Sequence, residues 1–444
     1  MNLSPERPSL LQRTLAKACE IEANEVHATL ASFTLVLMLM GSYYILRPVR
    51  DAMASNWTDA EVSWLWTFTF ICSVIAVSIY GTAVTRIRVR TLVPAVYGFF
   101  ALSFLLFYTG TQTLADRDSL DKAFYVWISL FSLFHISVFW TFMADTFSRT
   151  QATRLFGFIG AGASIGGIGG PALAALMVGD LGTDPLLLVA SMLVFITIPV
   201  VMWIQRIKSS ELHNQEQMAN TGSTEFIGGN PLAGFSAFLS SRYLLGIGLF
   251  IFLYTAIGSF VYFELKNLLE PYDMETRSQI WAGMDLVVNS LTILIAAFAT
   301  GRIASRMGLP FTLASVPVLI GAGMLMLAAA PMVSVVVTLQ VIRRAGNYAI
   351  SRPAREMLFT AVDRETRYKA KSVIDIVIYR GGDMINAWAF TALTQGLGLG
   401  LAGVAVVGAG LAILWAGTGV YLGRQFNQMQ TPGEIAPNTL AEVK

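Results

Sequence analysis

Charged residues and cysteines are both scarce in this sequence. Asp, Glu, Lys and Arg make up 13% of its 444 residues, whereas soluble domains carry about 25%. Together with a mean hydropathy of +0.61, this scarcity excludes a water-soluble globular protein and predicts an all-α integral membrane protein. The two cysteines, Cys19 and Cys72, are too few for a disulfide framework or a cysteine-based metal site. A net charge of +2 without a basic face gives no indication of nucleic-acid binding.

The sequence also lacks the motifs of an enzyme or an ATP-driven pump. It contains no H-E-x-x-H metal motif and no nucleophile–base set. The glycine-rich stretch GFIGAGASIGGIGGPALAAL lacks the G-K-[ST] ending of a phosphate-binding loop. Its Gly162, Gly166 and Gly170 recur every four residues, which predicts a face for close helix packing. We therefore expect no enzymatic activity, no cofactor and no metal site.

Long apolar stretches dominate what is present, and each has the length of a membrane-spanning helix, about 20 residues. The twelve predicted spans are 28–50, 64–85, 91–110, 123–146, 155–179, 184–205, 243–266, 279–301, 310–330, 332–358, 372–395 and 399–422. The longest polar interruption lies in the middle of the chain. This predicts two six-helix lobes, at 28–207 and 241–424, joined by a cytoplasmic linker at 208–240. An amphipathic segment is predicted at 1–27 and a cytoplasmic tail at 425–444.

The distribution of Lys and Arg predicts the orientation in the membrane. The loops that share a side with the N-terminus carry most of these residues, whereas the opposite loops carry only Arg117, Lys122, Lys266 and Arg277. Because Lys and Arg concentrate in cytoplasmic loops, we expect both termini in the cytoplasm. The even number of predicted spans agrees with this orientation.

The two halves of the chain share a loop motif. Gly81 and Arg86 follow the second span with the same spacing as Gly301 and Arg306, which follow the eighth. This resembles the loops that major facilitator superfamily transporters carry between spans 2 and 3 and between spans 8 and 9. The resemblance implies the fold of that superfamily, in which two lobes are built from inverted repeats around a central cavity.

A charged motif also occurs twice, as RPVRD at 47–51 and RPARE at 352–356. Ionisable residues inside a bilayer persist when they are paired or functional. The predicted pairs, at i and i+4 of a helix, are Arg47 with Asp51 and Arg352 with Glu356. Arg50 and Arg355 have no acid three or four residues away, so each motif is expected to leave one surplus cation. Paired charges with a purely structural role are the alternative interpretation.

Two prolines and additional arginines lead to the prediction of a solute-binding cavity. Pro48 and Pro353 are expected to disturb their helices, and broken helices at membrane depth are tolerated beside a cavity. Arg343 is predicted near the middle of span 10. A series of guanidinium groups would suit an anionic solute. The predicted substrate-binding residues are Arg47, Arg50, Arg343, Arg344, Arg352, Arg355, Lys371, Tyr44 and Tyr348.

Several other charged residues lie in or near the predicted spans. Each is a candidate for balancing an arginine or for carrying a coupled proton: Asp51, Asp145, Glu264, Asp285, Glu356, Asp375, Arg380 and Asp383. Asp375, Tyr379, Asp383 and Asn386 are predicted to share one stripe of span 11. His135 is more typical of a hydrogen-bonded core histidine.

The segment YYILRPVRDAM resembles the YxILRDTKD segment of the ATP/ADP translocases of plastids and intracellular bacteria. RPAREMLFTAVDRETRYKAKSVIDIVIYRGGD resembles the segment of that family in spans 10 and 11. The resemblance implies nucleotide exchange across a bacterial inner membrane. It assigns the cationic role to Arg50 and to Arg355 with Glu356, and aligns the acid of the seventh span loosely with Glu264. The sequence departs from the family at Pro48, where the family has an acid.

The leading hypothesis is therefore a monomeric secondary transporter in the lipid bilayer. Its partner would be an anionic, phosphorylated small molecule, such as the nucleotides ATP and ADP, moved by alternating access and exchange. One alternative is proton-coupled transport of another organic anion or drug, with Asp375 or Asp383 as the proton site. Another is a membrane scaffold or sensor that transports nothing.

Overall fold

The computed structural model describes residues 21–210, 212, 238–295, 301–362 and 373–430. Three predicted regions lie mostly or wholly outside these residues. They are the amphipathic N-terminal segment, the central linker and the C-terminal tail.

Within the described residues the chain forms twelve helical segments, numbered here in chain order. They are α1 (Val26–Met53), α2 (Asp59–Arg86), α3 (Val89–Thr113), α4 (Arg117–Thr146), α5 (Arg149–Leu181), α6 (Asp184–Ser210), α7 (Arg242–Leu269), α8 (Met274–Ile295), α9 (Gly301–Ala329), α10 (Val333–Gly346, Asn347–Ser351, Arg352–Leu358 and Phe359–Ala361), α11 (Val373–Ile378, Tyr379–Thr391 and Ala392–Gly396) and α12 (Leu401–Gln430). Ten of these segments, all except α10 and α11, are long and apolar enough to span a membrane. The predicted all-α membrane architecture is confirmed.

Local sequence signals set several helix ends. Thr58 caps α2 and exchanges hydrogen bonds with Glu61, and Ser148 caps α5 in the same way with Gln151. These capping boxes satisfy backbone N–H groups that have no partner within the helix. Gly182 ends α5 with a φ of 75°, a conformation that side chains with a Cβ rarely adopt. Phe147 and Ser148 alone separate α4 from α5, and Gly182 and Thr183 alone separate α5 from α6.

The two motif prolines behave differently from each other. Pro48 lies inside α1, which stays α-helical from Val26 to Met53, so the expected break at Pro48 is wrong. Pro353 lies in the first turn of Arg352–Leu358, directly after the π-helical turn Asn347–Ser351. The wider π turn changes the helix register where the proline ring removes a hydrogen bond. α11 likewise begins and ends with π-helical turns.

The described residues cluster into two compact units. The first comprises those within Met1–Gly228 and Phe263–Leu291, and the second those within Gly229–Tyr262 and Thr292–Lys444. In the first unit α1 packs against α4, α5 and α6, and in the second α9 packs along α12. The first unit thus contains the end of α7 and most of α8 in addition to α1–α6.

The glycine face of α5 lies directly against α1. A Cβ added at Gly162, Gly166 or Gly170 would come within 3 Å of a backbone oxygen of α1. The packing role predicted for these glycines is confirmed. In the second unit Gly419 and Gly423 of α12 pack equally closely on the backbone of α9. Both units therefore contain a helix pair whose backbones approach without intervening side chains.

We expect Gly166→Ala to lower the thermal unfolding midpoint of the purified protein in detergent. The new methyl group would overlap the α1 backbone, and overpacking of this kind costs about 1–3 kcal/mol. Gly169→Ala is the matched control on the same helix, because nothing lies within 4 Å of its added Cβ. Equal midpoints for the two variants would contradict the close α1–α5 contact.

Candidate functional site

The first unit contains a cluster of charged side chains at the end of α1, with Asp51 at its centre. Arg50 Nε lies 2.9 Å from Asp51 Oδ1, and Arg50 Nη2 contacts the same oxygen. Arg50 Nη1 also donates to Ser129 Oγ at 3.3 Å, and its guanidinium lies 5.4 Å from the ring centroid of Tyr125. The prediction that Arg50 lacks an acid is wrong. The long arginine side chain reaches the residue beside it, a pairing that helical i,i+4 spacing does not reveal.

Arg47 completes this α1 cluster. Its Nε lies 3.5 Å from Asp51 Oδ2, which confirms the predicted i,i+4 pair, and its Nη1 lies 3.7 Å from Asp285 Oδ1 on α8. Its guanidinium also lies 5.7 Å from the ring centroid of Tyr44. Arg47 and Arg50 therefore lie among two carboxylates that are each about 1% exposed. Two positive and two negative charges balance formally, which limits the cost of burying them.

Two other predicted candidates in the first unit have structural roles. His135 Nδ1 donates to the Phe131 carbonyl oxygen at 3.0 Å, and the ring stacks on Tyr43 at 4.9 Å. Asp145 accepts from Lys208 Nζ at 2.9 Å, which joins the ends of α4 and α6. The Asp145 side chain is 39% exposed. A hydrogen-bonded core histidine and a partly exposed ion pair explain both positions without a role in transport.

Glu264, near the end of α7, has no ion-pair partner among the described residues, unlike Asp51, Asp145 and Asp285. The residue is 0% exposed. Among the described residues, neither of its carboxyl oxygens has a hydrogen-bond partner. Unlike the carboxylates of the α1 cluster, Glu264 therefore takes part in no ion pair among the described residues.

The second unit contains a cluster around Arg343 on α10. Arg343 is 7% exposed. Its Nε donates to Gln340 Oε1 at 2.8 Å, and its guanidinium lies 5.6 Å from the ring centroid of Tyr254 on α7. Asp383 on α11 is close enough to interact electrostatically with Arg343 and Arg380. No carboxylate among the described residues lies within ion-pair distance of Arg343.

The second copy of the charged motif repeats the pairing of the first. Arg355 is 7% exposed, and its Nη2 lies 3.1 Å from Glu356 Oε1. The predicted Arg352–Glu356 pair is wrong, because Arg352 extends to an exposed position while Arg355 contacts the carboxylate. Arg355 is therefore not the surplus cation that was expected. In both copies the acid binds the arginine immediately before it.

Other predicted residues of the second unit lie on α10 and α11. Arg344 is 2% exposed, and Tyr348 lies in the π-helical turn of α10. On α11, Tyr379 lies 6.1 Å from Tyr254 between ring centroids, and Asn386 Nδ2 donates to Thr255 Oγ1 on α7 at 3.2 Å. This part of the predicted α11 stripe thus packs against α7. Lys371 and the side chain of Asp375 lie outside the described residues.

The sequence interpretation missed Tyr254 and Gln340 as members of the α10 cluster. Tyr254 is twelve residues after the start of α7, and Arg343 is ten residues after the start of α10. At 1.5 Å per residue both depths are roughly 15–18 Å. Comparing depths from opposite membrane faces would have placed this tyrosine at about the same depth as the arginine.

The described parts of α10 and α11 carry more buried or half-buried cations than acids. Among the described side chains of α10 and α11, four arginines are buried or half-buried: Arg343, Arg344, Arg355 and Arg380. The described carboxylates of the same helices are Glu356 and Asp383. This excess of buried guanidinium groups is the feature that suits an anion.

We expect Asp51→Asn to destabilise the protein strongly. The substitution leaves Arg47 and Arg50 with Asp285 as their remaining carboxylate, and breaking a buried ion pair costs about 3–5 kcal/mol. Asp145→Asn is the control, because an exposed pair contributes about 0–1 kcal/mol. Thermal unfolding in detergent measures both variants. Similar midpoints would show that the α1 cluster does not depend on Asp51.

Comparison with known proteins agrees with this architecture. The sequence profile of the Major Facilitator Superfamily matches residues 32–359. The structure of the nucleoside transporter NupG is similar with a TM-score of 0.57 and 14% identity, over 93% of this chain and 100% of that chain. A bacterial homolog of the human lysosomal transporter Spinster, in an inward-facing and unoccupied conformation, gives a TM-score of 0.55 and 14% identity, over 92% of this chain and 99% of that one.

No curated protein sequence matches the chain. The two structural likenesses, at 14% identity, show the fold. The family match covers well over half of the sequence. The chain therefore belongs to the Major Facilitator Superfamily, as a multi-pass membrane transporter.

Proposed function

We propose that this transporter moves an anionic, phosphorylated solute, such as a nucleotide, across a bacterial inner membrane by alternating access and exchange. The observation that carries the proposal is Arg343. A buried guanidinium is costly unless a counter-charge and hydrogen bonds satisfy it. Its described polar partner is the neutral side chain of Gln340. A phosphate group would supply a negative charge at ion-pair distance and accept two parallel hydrogen bonds.

The surroundings of Arg343 favour an anion over a cation. Four arginines outnumber two carboxylates among the described side chains of α10 and α11 that are buried or half-buried. Along these two helices the described charges therefore favour an anion over a cationic drug. Asp383 is the described acid that interacts with Arg343, and a bound phosphate would share that arginine with it.

Tyr254 adds an aromatic surface to the cationic site. Its ring lies beside the guanidinium of Arg343 and near the ring of Tyr379. A nucleotide combines a phosphate with an aromatic base, and base–aromatic stacking contributes about 1–3 kcal/mol. The juxtaposition of Arg343 and Tyr254 thus supports a nucleotide over a simple inorganic anion.

The α1 cluster supports the proposal less directly than the sequence suggested. Arg50 and Arg47 already contact Asp51 and Asp285, so an anion would have to compete with two carboxylates. The resemblance to ATP/ADP translocases assigns the cationic role on α1 to Arg50. The structure instead makes Arg343 the first residue to substitute.

We expect Arg343→Gln to weaken binding of a phosphorylated ligand about 10- to 150-fold, because a hydrogen bond to a charged group contributes about 1.5–3 kcal/mol. Ligand-dependent thermal stabilisation by ATP, ADP and a sugar phosphate measures the affinity, and exchange in proteoliposomes measures transport. Arg343→Lys keeps the charge without the bidentate geometry and should be intermediate. Arg352→Gln is the matched control on the same helix, since Arg352 is exposed.

Two results would contradict this part of the proposal. One is an Arg343→Gln variant that is folded and binds the phosphorylated ligand with unchanged affinity. The other is equal binding of a nucleoside and its phosphorylated form, which would show that the phosphate is not recognised.

A second substitution separates recognition of the base from recognition of the phosphate. Tyr254→Leu should weaken ATP binding about 5- to 150-fold through lost stacking, while binding of inorganic triphosphate should change little. Tyr254→Phe keeps the ring and serves as the control. If Tyr254→Leu weakens both ligands equally, the tyrosine acts by positioning Arg343 and not by stacking on a base.

A further inference from the structure

Glu264 is a buried acid that the anion site does not use. It lies in the part of α7 that belongs to the first unit, whereas Arg343 and Tyr254 lie in the second. The residue is 0% exposed. Neither carboxyl oxygen has a hydrogen-bond partner among the described residues. The other buried acids of the first unit, including Asp51 and Asp59, contact a basic side chain.

The basic residue nearest to Glu264 in the sequence is paired with a different acid. Lys266, two residues further along α7, donates to Asp59 Oδ1 at 2.9 Å and to the Trp57 carbonyl oxygen at 2.7 Å. Residues two apart on a helix point in different directions, so Lys266 turns toward the start of α2 and away from Glu264. The Asp59 carboxylate is the other charged group near Glu264, and it repels a second negative charge.

Two further residues at this end of α7, Phe263 and Asn267, are uncharged. Phe263, the residue before Glu264, packs edge-on against Trp66 of α2 with ring centroids 5.5 Å apart. Asn267 reaches Asp59 and not Glu264. Within the described part of the chain, Asp59 of α2 is thus the charged group that acts on this carboxyl, while Lys266 of α7 is turned toward Asp59.

These contacts decide the charge state of the carboxyl. An ionised carboxylate that is removed from water, without a donor and beside another carboxylate, is strongly disfavoured relative to its neutral form. The neutral form needs one proton and no counter-charge. We propose that Glu264 is a proton-binding site that is occupied in this conformation and released to water when the Lys266–Asp59 contact opens and Glu264 becomes hydrated.

Such a site would link proton movement to the conformational cycle. The bond that breaks on release is the carboxyl O–H, and the proton passes to water, which leaves a hydrated carboxylate. The proton site itself does not depend on the identity of the solute. Only its coupling to solute movement rests on the proposed anion transport, and the two can be tested separately.

Infrared difference spectroscopy of the purified full-length protein tests the protonation directly. The carbonyl stretch of a protonated carboxyl should be present at neutral pH in the native protein and absent in Glu264→Gln. Glu61→Gln is the matched control, because Glu61 is an ion-paired glutamate whose side chain is 42% exposed, and it should leave the band unchanged. A native-minus-Glu264→Gln difference spectrum without this band overturns the proposal, because other protonated carboxyls contribute equally to both spectra.

Thermal unfolding across pH gives a second readout. The folded protein holds a proton that the unfolded chain releases, so stability should fall as pH rises from about 5 to about 9, the range in which buried glutamates titrate. This loss of stability with rising pH should be absent in Glu264→Gln and present in Glu61→Gln. If Glu264→Gln does not fold, Glu264→Leu provides the same proton-free comparison. An unchanged pH dependence in the folded variant contradicts the proposal.

Proteoliposomes then separate the proton site from the transported solute. Acidification outside should increase uptake of a phosphorylated solute by the native protein, and this response should be lost in Glu264→Gln. An infrared band without uptake of any phosphorylated solute would leave the proton site standing and refute the anion proposal. Uptake of a phosphorylated solute without the infrared band would support the anion proposal and refute the proton site.

Discussion

Burial of charge in an apolar environment is the constraint on which this structure depends. With 13% charged residues, the chain has few ionisable groups, and many of them are buried. Each such group must be paired, neutralised or satisfied by a ligand. Asp51 and its arginines show pairing, the isolated carboxyl of Glu264 calls for neutralisation, and Arg343 has the environment that a ligand would satisfy. One physical cost thus accounts for three different arrangements.

The repeated motif shows how the same local chemistry gives two different clusters. In both copies an arginine contacts the acid that follows it, as Arg50–Asp51 and Arg355–Glu356. At α1, Asp285 supplies a second carboxylate and the cluster is balanced. At α10, Arg343 and Arg344 add positive charge. The repeat therefore holds local structure, and the residues around it set the net charge.

Much of the fold could be predicted from the sequence, because apolar length and glycine spacing are local signals. The spans and the Gly162–Gly170 packing face follow from them. The site could be predicted only in part. Helical spacing identified Arg47 with Asp51 but not the contact of Arg50 with its neighbour, because that contact depends on side-chain conformation. The partnership of Tyr254 with Arg343 joins distant parts of the chain, which no local pattern encodes.

The excess of described arginines over carboxylates on α10 and α11 also bears on the mode of transport. When the protein reorients without a bound solute, its buried guanidinium groups change their surroundings without a counter-anion. In addition, moving a net charge across the membrane potential costs about 2.3 kcal/mol per charge per 100 mV. A bound phosphate lowers both costs. Reorientation of the loaded protein should therefore be faster than that of the empty protein, which is the kinetic condition for exchange. A proton on Glu264 would act in the same direction, because it removes a buried negative charge that no described base balances.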